Sequence, residues 1–285
     1  MAMDLRGKRA VFQVALLVSF SALAVEEAPL RFGDPETMID AGTPTAVPST
    51  AEPERTEKPA PAVDLAGKIR AILATVPSGS DYPEQLSEIV DLGTPAVPPL
   101  VSLFQDASAS WQARWIVGIA LGRLGTKTAR EALEKGMTDS LFLIRMAAIQ
   151  ALTSRGDSSV AALLRPALSD RAMVVRCKAV DSLEALKDGD SIPDLVKELG
   201  APRNFYRGRS LWIRGRIVDA LGSIGDKKAV SALLAVLRES ELEIRLRACG
   251  ALTKLSPDAA LAGPDAQSEK CVEHWSKWGE AHPLH

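Results

Sequence analysis

Aromatic side chains are scarce in this 285-residue sequence, at 5%, and there are only three cysteines and three histidines. Few aromatics argue against a β-sandwich, which draws its core from aromatic and β-branched residues, whereas a core of Ala, Leu, Val and Ile suits closely approaching helices. Three cysteines leave an odd thiol under any pairing, so this is no small disulfide scaffold. Cys177 and Cys249 fall within helical patterns and read as buried apolar residues. A Cys249–Cys271 bridge stays open, because connectivity cannot be read from sequence.

The histidines are His274, His282 and His285, all near the C-terminus. The rest of the chain therefore has no imidazole to activate a Ser or Cys nucleophile. Gly-x-Ser-x-Gly, P-loop and Gly-x-Gly-x-x-Gly motifs are absent. The one Glu273-His274 pair supplies too few ligands for a metal site. The expectation is a non-catalytic chain with no metal and no cofactor.

No strong charge of one sign is present either. The sequence carries 34 Lys and Arg against 36 Asp and Glu. Nucleic acid is not an expected partner, since phosphate neutralisation needs a basic surface. The apolar run from Ala10 to Leu23 is shorter than the ~20 residues of a membrane-spanning helix. Arg6, Lys8 and Arg9 precede it, and Ala22, Leu23 and Ala24 follow the pattern of a cleavage site, so residues 1–24 read as a signal peptide. This predicts a periplasmic or secreted protein with no integral membrane span after cleavage; an uncleaved anchor is the alternative. Residues 25–62 hold seven prolines and no apolar periodicity, and read as a disordered Pro-rich linker.

From residue 63 the sequence repeats itself. Arg114, Arg145, Arg176, Arg214 and Arg245 are spaced 31, 31, 38 and 31 residues apart, so one unit carries a seven-residue insertion. Seven residues after each stands a leucine, Leu121, Leu152, Leu183, Leu221 and Leu252, preceded by a small residue. Ile144, Val175, Ile213 and Ile244 precede four of the arginines. Leu133, Leu164, Leu195 and Leu233 follow the first four at nineteen residues. Both helices of each unit thus carry an apolar stripe. Gly125, Gly156 and Gly225, the last two followed by Asp157 and Asp226, mark a helix stop and a new N-cap between them. Each unit reads as a helical hairpin that buries its apolar face only by stacking on its neighbours. Pro83–Leu92 with Pro95–Phe104 reads as a degenerate first hairpin, and Leu65–Leu73 as an N-terminal cap.

Segments such as Asp170 to Arg176 followed by Ala179, Val180 and Leu183, or Arg214 to Gly225, Asp226 and Leu233, resemble the short HEAT repeats also found in phycobilisome lyases. The resemblance covers about 180 residues. It implies a right-handed all-α solenoid of about five hairpins over residues 63–285, with capping helices at both ends, and a role in binding another protein. It leaves a lyase-like enzyme or enzyme accessory, or a structural spacer in the cell envelope, as alternatives. Deoxyhypusine hydroxylase, a HEAT-type enzyme, holds iron with repeated His-Glu pairs, and this sequence has none. Asp139, Asp170 and Glu239, each six residues ahead of a recurrent arginine, point to ion pairs between repeats.

The insertion departs from the pattern and brings Arg203, Phe205, Tyr206, Arg207, Arg209 and Trp212 together. Aromatic and arginine side chains dominate binding hot spots, so these six are the candidate partner-binding residues, suited to an acidic or extended protein segment. The other reading is a surface loop whose aromatics tuck back while its arginines are solvated. At the C-terminus, residues 267–281 read as an amphipathic capping helix with Trp275 and Trp278 closing the core.

Overall fold

The computed structural model describes residues 64–76, 82–261, 265 and 268–282. The signal peptide of residues 1–24 and the linker of 25–62 lie outside them. All described residues belong to one compact unit, Asp64–Val76 with Asp81–His285.

Thirteen helices follow one another in that unit: α1 (Leu65–Ala74), α2 (Pro83–Asp91), α3 (Val97–Gln105), α4 (Trp111–Leu124), α5 (Lys127–Gly136), α6 (Phe142–Thr153), α7 (Ala161–Leu164), α8 (Met173–Ala185), α9 (Ile192–Leu199), α10 (Trp212–Ile224), α11 (Val230–Val236), α12 (Leu242–Leu255) and α13 (Glu269–Ala281). The recurrent arginines all lie on the first helices of hairpins, α4, α6, α8, α10 and α12. Each of these packs on its predecessor in the row and on the second helix of the preceding unit, which makes the chain an α-solenoid. The apolar columns form one continuous core. Leu121, Leu183, Leu221 and Leu252 are fully enclosed, as are Leu164, Leu195 and Leu233 on the second helices. Burying each such side chain contributes roughly 1.5–3 kcal/mol, which no isolated hairpin obtains.

Neighbouring first helices approach to backbone contact. A Cβ on Gly122 would meet the Ala151 carbonyl oxygen at 2.7 Å, and one on Gly222 would lie 2.6 Å from the Ala251 Cα. Ala151 and Ala251, the small residues before Leu152 and Leu252, are the other half of that close packing.

The expected turn chemistry is present. Gly125, Gly156 and Gly225 adopt φ of 62°, 66° and 88°, and the Asp157 and Asp226 carboxylates accept from Ser159 and Lys228 N–H groups. The corresponding position of the third complete unit is Lys187, held at φ 53° with its Nζ donating to the Ser223 carbonyl. At the C-terminal end α13 closes the stack. Trp275 and Cys271 are fully buried, and a Cys249–Cys271 disulfide ties α13 to α12. Trp278 meets Trp275 edge-on at 5.4 Å between ring centroids.

Candidate functional site

The recurrent arginines are nearly inaccessible to solvent in four of five units, and their bonds explain why. Arg114 donates from Nε to the Phe104 carbonyl and pairs through Nη2 with Asp139 of the next unit. Arg145 reaches Asp170 with a bidentate fork, both contacts 2.7 Å, and donates from Nη1 to the Asp139 carbonyl. Arg214 grips Glu239 at 2.6 and 2.8 Å. Each acid thus accepts with its side chain from the preceding unit's arginine. Its backbone carbonyl accepts from the following one, as between Asp170 and Arg176 or Glu239 and Arg245. Burial by itself would raise the Asp139 and Asp170 carboxyls. The hydrogen bonds and charges of Arg114 and Arg145, with N–H groups of Leu141 and Ala172, outweigh it and hold both below the usual range. This ladder fixes the register of adjacent units and is not free to bind a partner.

The insertion interrupts the ladder. Arg176 finds no carboxylate; its Nε donates to Asn204 Oδ1 at 3.2 Å, and burial pulls it below the usual arginine value. Asn204 in turn donates to the Glu198 carbonyl at 2.7 Å. Glu198 is 2% exposed and accepts through Oε1 from Arg203 at 2.9 Å and Ser169 at 2.8 Å. After a 3₁₀ turn over Pro202–Asn204, the chain forms an antiparallel hairpin of β1 (Phe205–Tyr206) and β2 (Arg209–Ser210), with Phe205 opposite Ser210 and Tyr206 opposite Arg209. Arg207 and Gly208 make its two-residue turn at φ 50° and 76°, the left-handed pair that matches strand twist. Ser210 anchors the second strand, donating from N and Oγ to Glu241 at 2.8 and 2.7 Å.

The six candidate residues therefore divide into two groups. Arg203 and Phe205 are tied to the solenoid: Arg203 neutralises buried Glu198, and the Arg214 guanidinium lies 4.3 Å above the Phe205 ring. Tyr206, Arg207 and Arg209 project outward. Tyr206 is 63% exposed with Arg207 over its ring at 5.3 Å, and Trp212, 49% exposed, carries Arg216 at 5.1 Å. Arg216 is committed to Asp181.

Four further exposed apolar residues went unmarked in the sequence reading: Trp111, Leu141, Phe142 and Leu242. Their signal was there. Three residues before each recurrent arginine stands Trp111, Phe142, Met173, Leu211 or Leu242, an apolar column at the start of every first helix.

A family model for HEAT repeats matches residues 137–213, and one for the PBS lyase HEAT-like repeat matches 213–239. This is a HEAT-repeat protein. The matches meet at the start of α10, so the HEAT pattern runs through the inserted hairpin into the following unit. No curated protein matches the chain. Among solved structures, the complex of CpcE and CpcF of phycocyanin lyase from Nostoc sp. PCC7120 is similar at 19% identity and TM-score 0.38, over 82% of this chain and 94% of that one. An engineered protein is similar at 18% identity and TM-score 0.41, over 75% and 64%. Human deoxyhypusine hydroxylase is similar at 20% identity and TM-score 0.34, over 74% and 83%.

Among the described residues no group of three or more His, Cys, Asp and Glu is placed to hold a metal, and no helix is long and apolar enough to cross a membrane. Two shallow cavities, one by Ile69 and Pro99 and one by Leu234 and Gly279, measure about 80 and 60 Å³, whereas ligand pockets run to about 300–1,000 Å³. Cys177 is buried, and that burial pushes its thiol up to about 12.

Proposed function

We propose that this HEAT-repeat protein is an exported, non-catalytic scaffold that binds another protein through its inserted hairpin. The observation that carries this reading is the contrast in arginine use. Four of the five ladder arginines are buried on carboxylates or carbonyls, whereas Arg207 and Arg209 stand in solvent by exposed Tyr206, three to five residues before exposed Trp212, and form no ion pair among the described residues. Exposed aromatic and arginine side chains on a rigid support are the usual anchors of protein interfaces. The Cys249–Cys271 disulfide supports export, since such bonds persist in oxidising compartments.

Chemical crosslinking and capture from envelope extract, with the full chain as bait, tests the proposal. A companion bait carries Ala at Tyr206, Arg207, Arg209 and Trp212 and retains Arg203 and Phe205, whose loss would disturb the fold. Capture of a protein that disappears with the companion bait supports the reading. Equal capture by both baits removes the hairpin from the interface, and capture of nothing favours a structural spacer.

A further inference from the structure

We infer that the binding site extends beyond the hairpin along the row of first-helix N-termini, and that it takes an extended peptide segment, acidic at its centre and apolar at both ends. This rests on the scaffold reading and names its partner's chemistry.

The segments entering the first helices form one continuous edge. Arg171 donates to the Ser140 carbonyl at 2.7 Å, Arg203 to the Ser169 carbonyl at 3.4 Å, and Ser210 to Glu241 at 2.8 Å, so the entries to α6, α8, α10 and α12 touch in sequence. Exposed apolar side chains stand at both ends of this stretch, Leu141 and Phe142 at one and Leu242 at the other, with Trp212 one step before Leu242.

Charge along the edge is net positive. Asp139, Asp170 and Glu239 are consumed by the arginine ladder, while Glu241, hydrogen-bonded to Ser210, keeps its charge and lies within electrostatic reach of Arg209. Glu243 is paired with Arg247. Arg171, Arg207 and Arg209 are exposed and make no ion pair among the described residues. They lie between the two apolar ends, on the entries to α8 and α10. The unbalanced charge calls for carboxylates in the middle of the ligand.

Spacing selects an extended chain. Packed helices stand about 8–10 Å apart, and an extended strand advances about 3.3 Å per residue. One solenoid step therefore matches roughly three ligand residues, and the three steps from Phe142 to Leu242 match roughly nine. A helical ligand, rising 1.5 Å per residue, would need about twenty residues to cover the same edge.

Fluorescence anisotropy with the full chain tests this. The probe is a fluorescein-labelled peptide of about a dozen residues, with leucines roughly nine positions apart, aspartates and glutamates between them, and Gly and Ser elsewhere. A scrambled peptide of identical composition, with its leucines adjacent, serves as control. Saturable binding of the patterned peptide is expected, at least tenfold weaker for the scrambled one. The Phe142→Ser, Leu242→Ser pair and the Arg171→Glu, Arg209→Glu pair should each weaken it at least tenfold, with circular dichroism unchanged because all four side chains are exposed. Raising salt should weaken it further. Equal affinity for both peptides, unaltered binding by either variant pair, or no saturable binding up to millimolar peptide overturns the inference. A partner captured through the hairpin would still stand in those cases, which separates failure of this edge from failure of the scaffold reading.

Discussion

Lys187 occupies a position where the other units use glycine, and it holds a left-handed φ of 53°. A side chain with a Cβ costs roughly 1–2 kcal/mol there, and its bond to the Ser223 carbonyl is solvent-exposed and returns only part of that. Lys187→Gly should therefore stabilise the protein by up to about 1 kcal/mol, read as a higher midpoint in urea or thermal unfolding. Gly225→Ala, placing a Cβ on a φ of 88°, should do the reverse.

Single residues also set the acid limb. Asp139 and Asp170 have folded pKa values depressed below the unfolded carboxylate value of about 3.9. A depressed carboxylate contributes stability that is complete above its unfolded pKa and is lost as pH falls through the folded one. Stability should therefore fall steeply below about pH 4. The double variant Asp139→Asn, Asp170→Asn should be less stable at neutral pH and should show a flatter decline in acid, measured by urea unfolding across pH. Equal acid slopes in variant and parent would remove the ladder from that account.

At the scale of helices, contact between first helices depends on having no side chain at the crossing. The Ala251 backbone beside Gly222 cannot yield as a flexible side chain would. Gly222→Val should force α10 from α12 and cost about 1–3 kcal/mol, whereas Gly250→Val, where a Cβ meets nothing within 4 Å, should cost far less. Comparing the two by thermal unfolding separates overpacking from the general cost of valine in a helix. The inserted hairpin illustrates another rule of elements. The ladder position six residues before Arg214 is Gly208 and carries no carboxylate for Arg176, and Asn204, Glu198 and Arg203 rebuild the junction with different chemistry.

For the whole solenoid, stability is a chain of nearest-neighbour contacts, so an open end exposes core. α13 covers that end with Trp275 and is tied by a disulfide across 22 residues, worth about 3 kcal/mol on the loop-entropy account. Deleting residues 267–285 should lower the melting temperature. It should also remove amide-exchange protection from α12 and α11 first, while α4 to α6 keep theirs. Uniform loss of protection would show that the stack unfolds as one unit. A truncated protein that melts normally would mean the end needs no cap.

Much of this architecture is written in the sequence because repetition averages out local ambiguity. Five aligned arginines and leucines specify the hairpins, the core face and, through Asp139, Asp170 and Glu239, the partners of the ladder. The first hairpin, the glycine turns and the terminal helix were legible for the same reason: their apolar spacing and caps are local. What tertiary structure alone decided lies where the period breaks or where distant segments meet. Composition could not say that the insertion closes into a two-residue β-turn at Arg207-Gly208, nor that Arg203 and Phe205 are held by Glu198 and Arg214 while Tyr206 and Arg209 stay free. The pairing of Cys249 with Cys271 likewise depends on where α13 docks. Local propensity and period are properties of a short stretch of chain. Which charges are consumed, and which remain exposed on the edge, depends on neighbours about thirty residues away, brought into contact only by stacking.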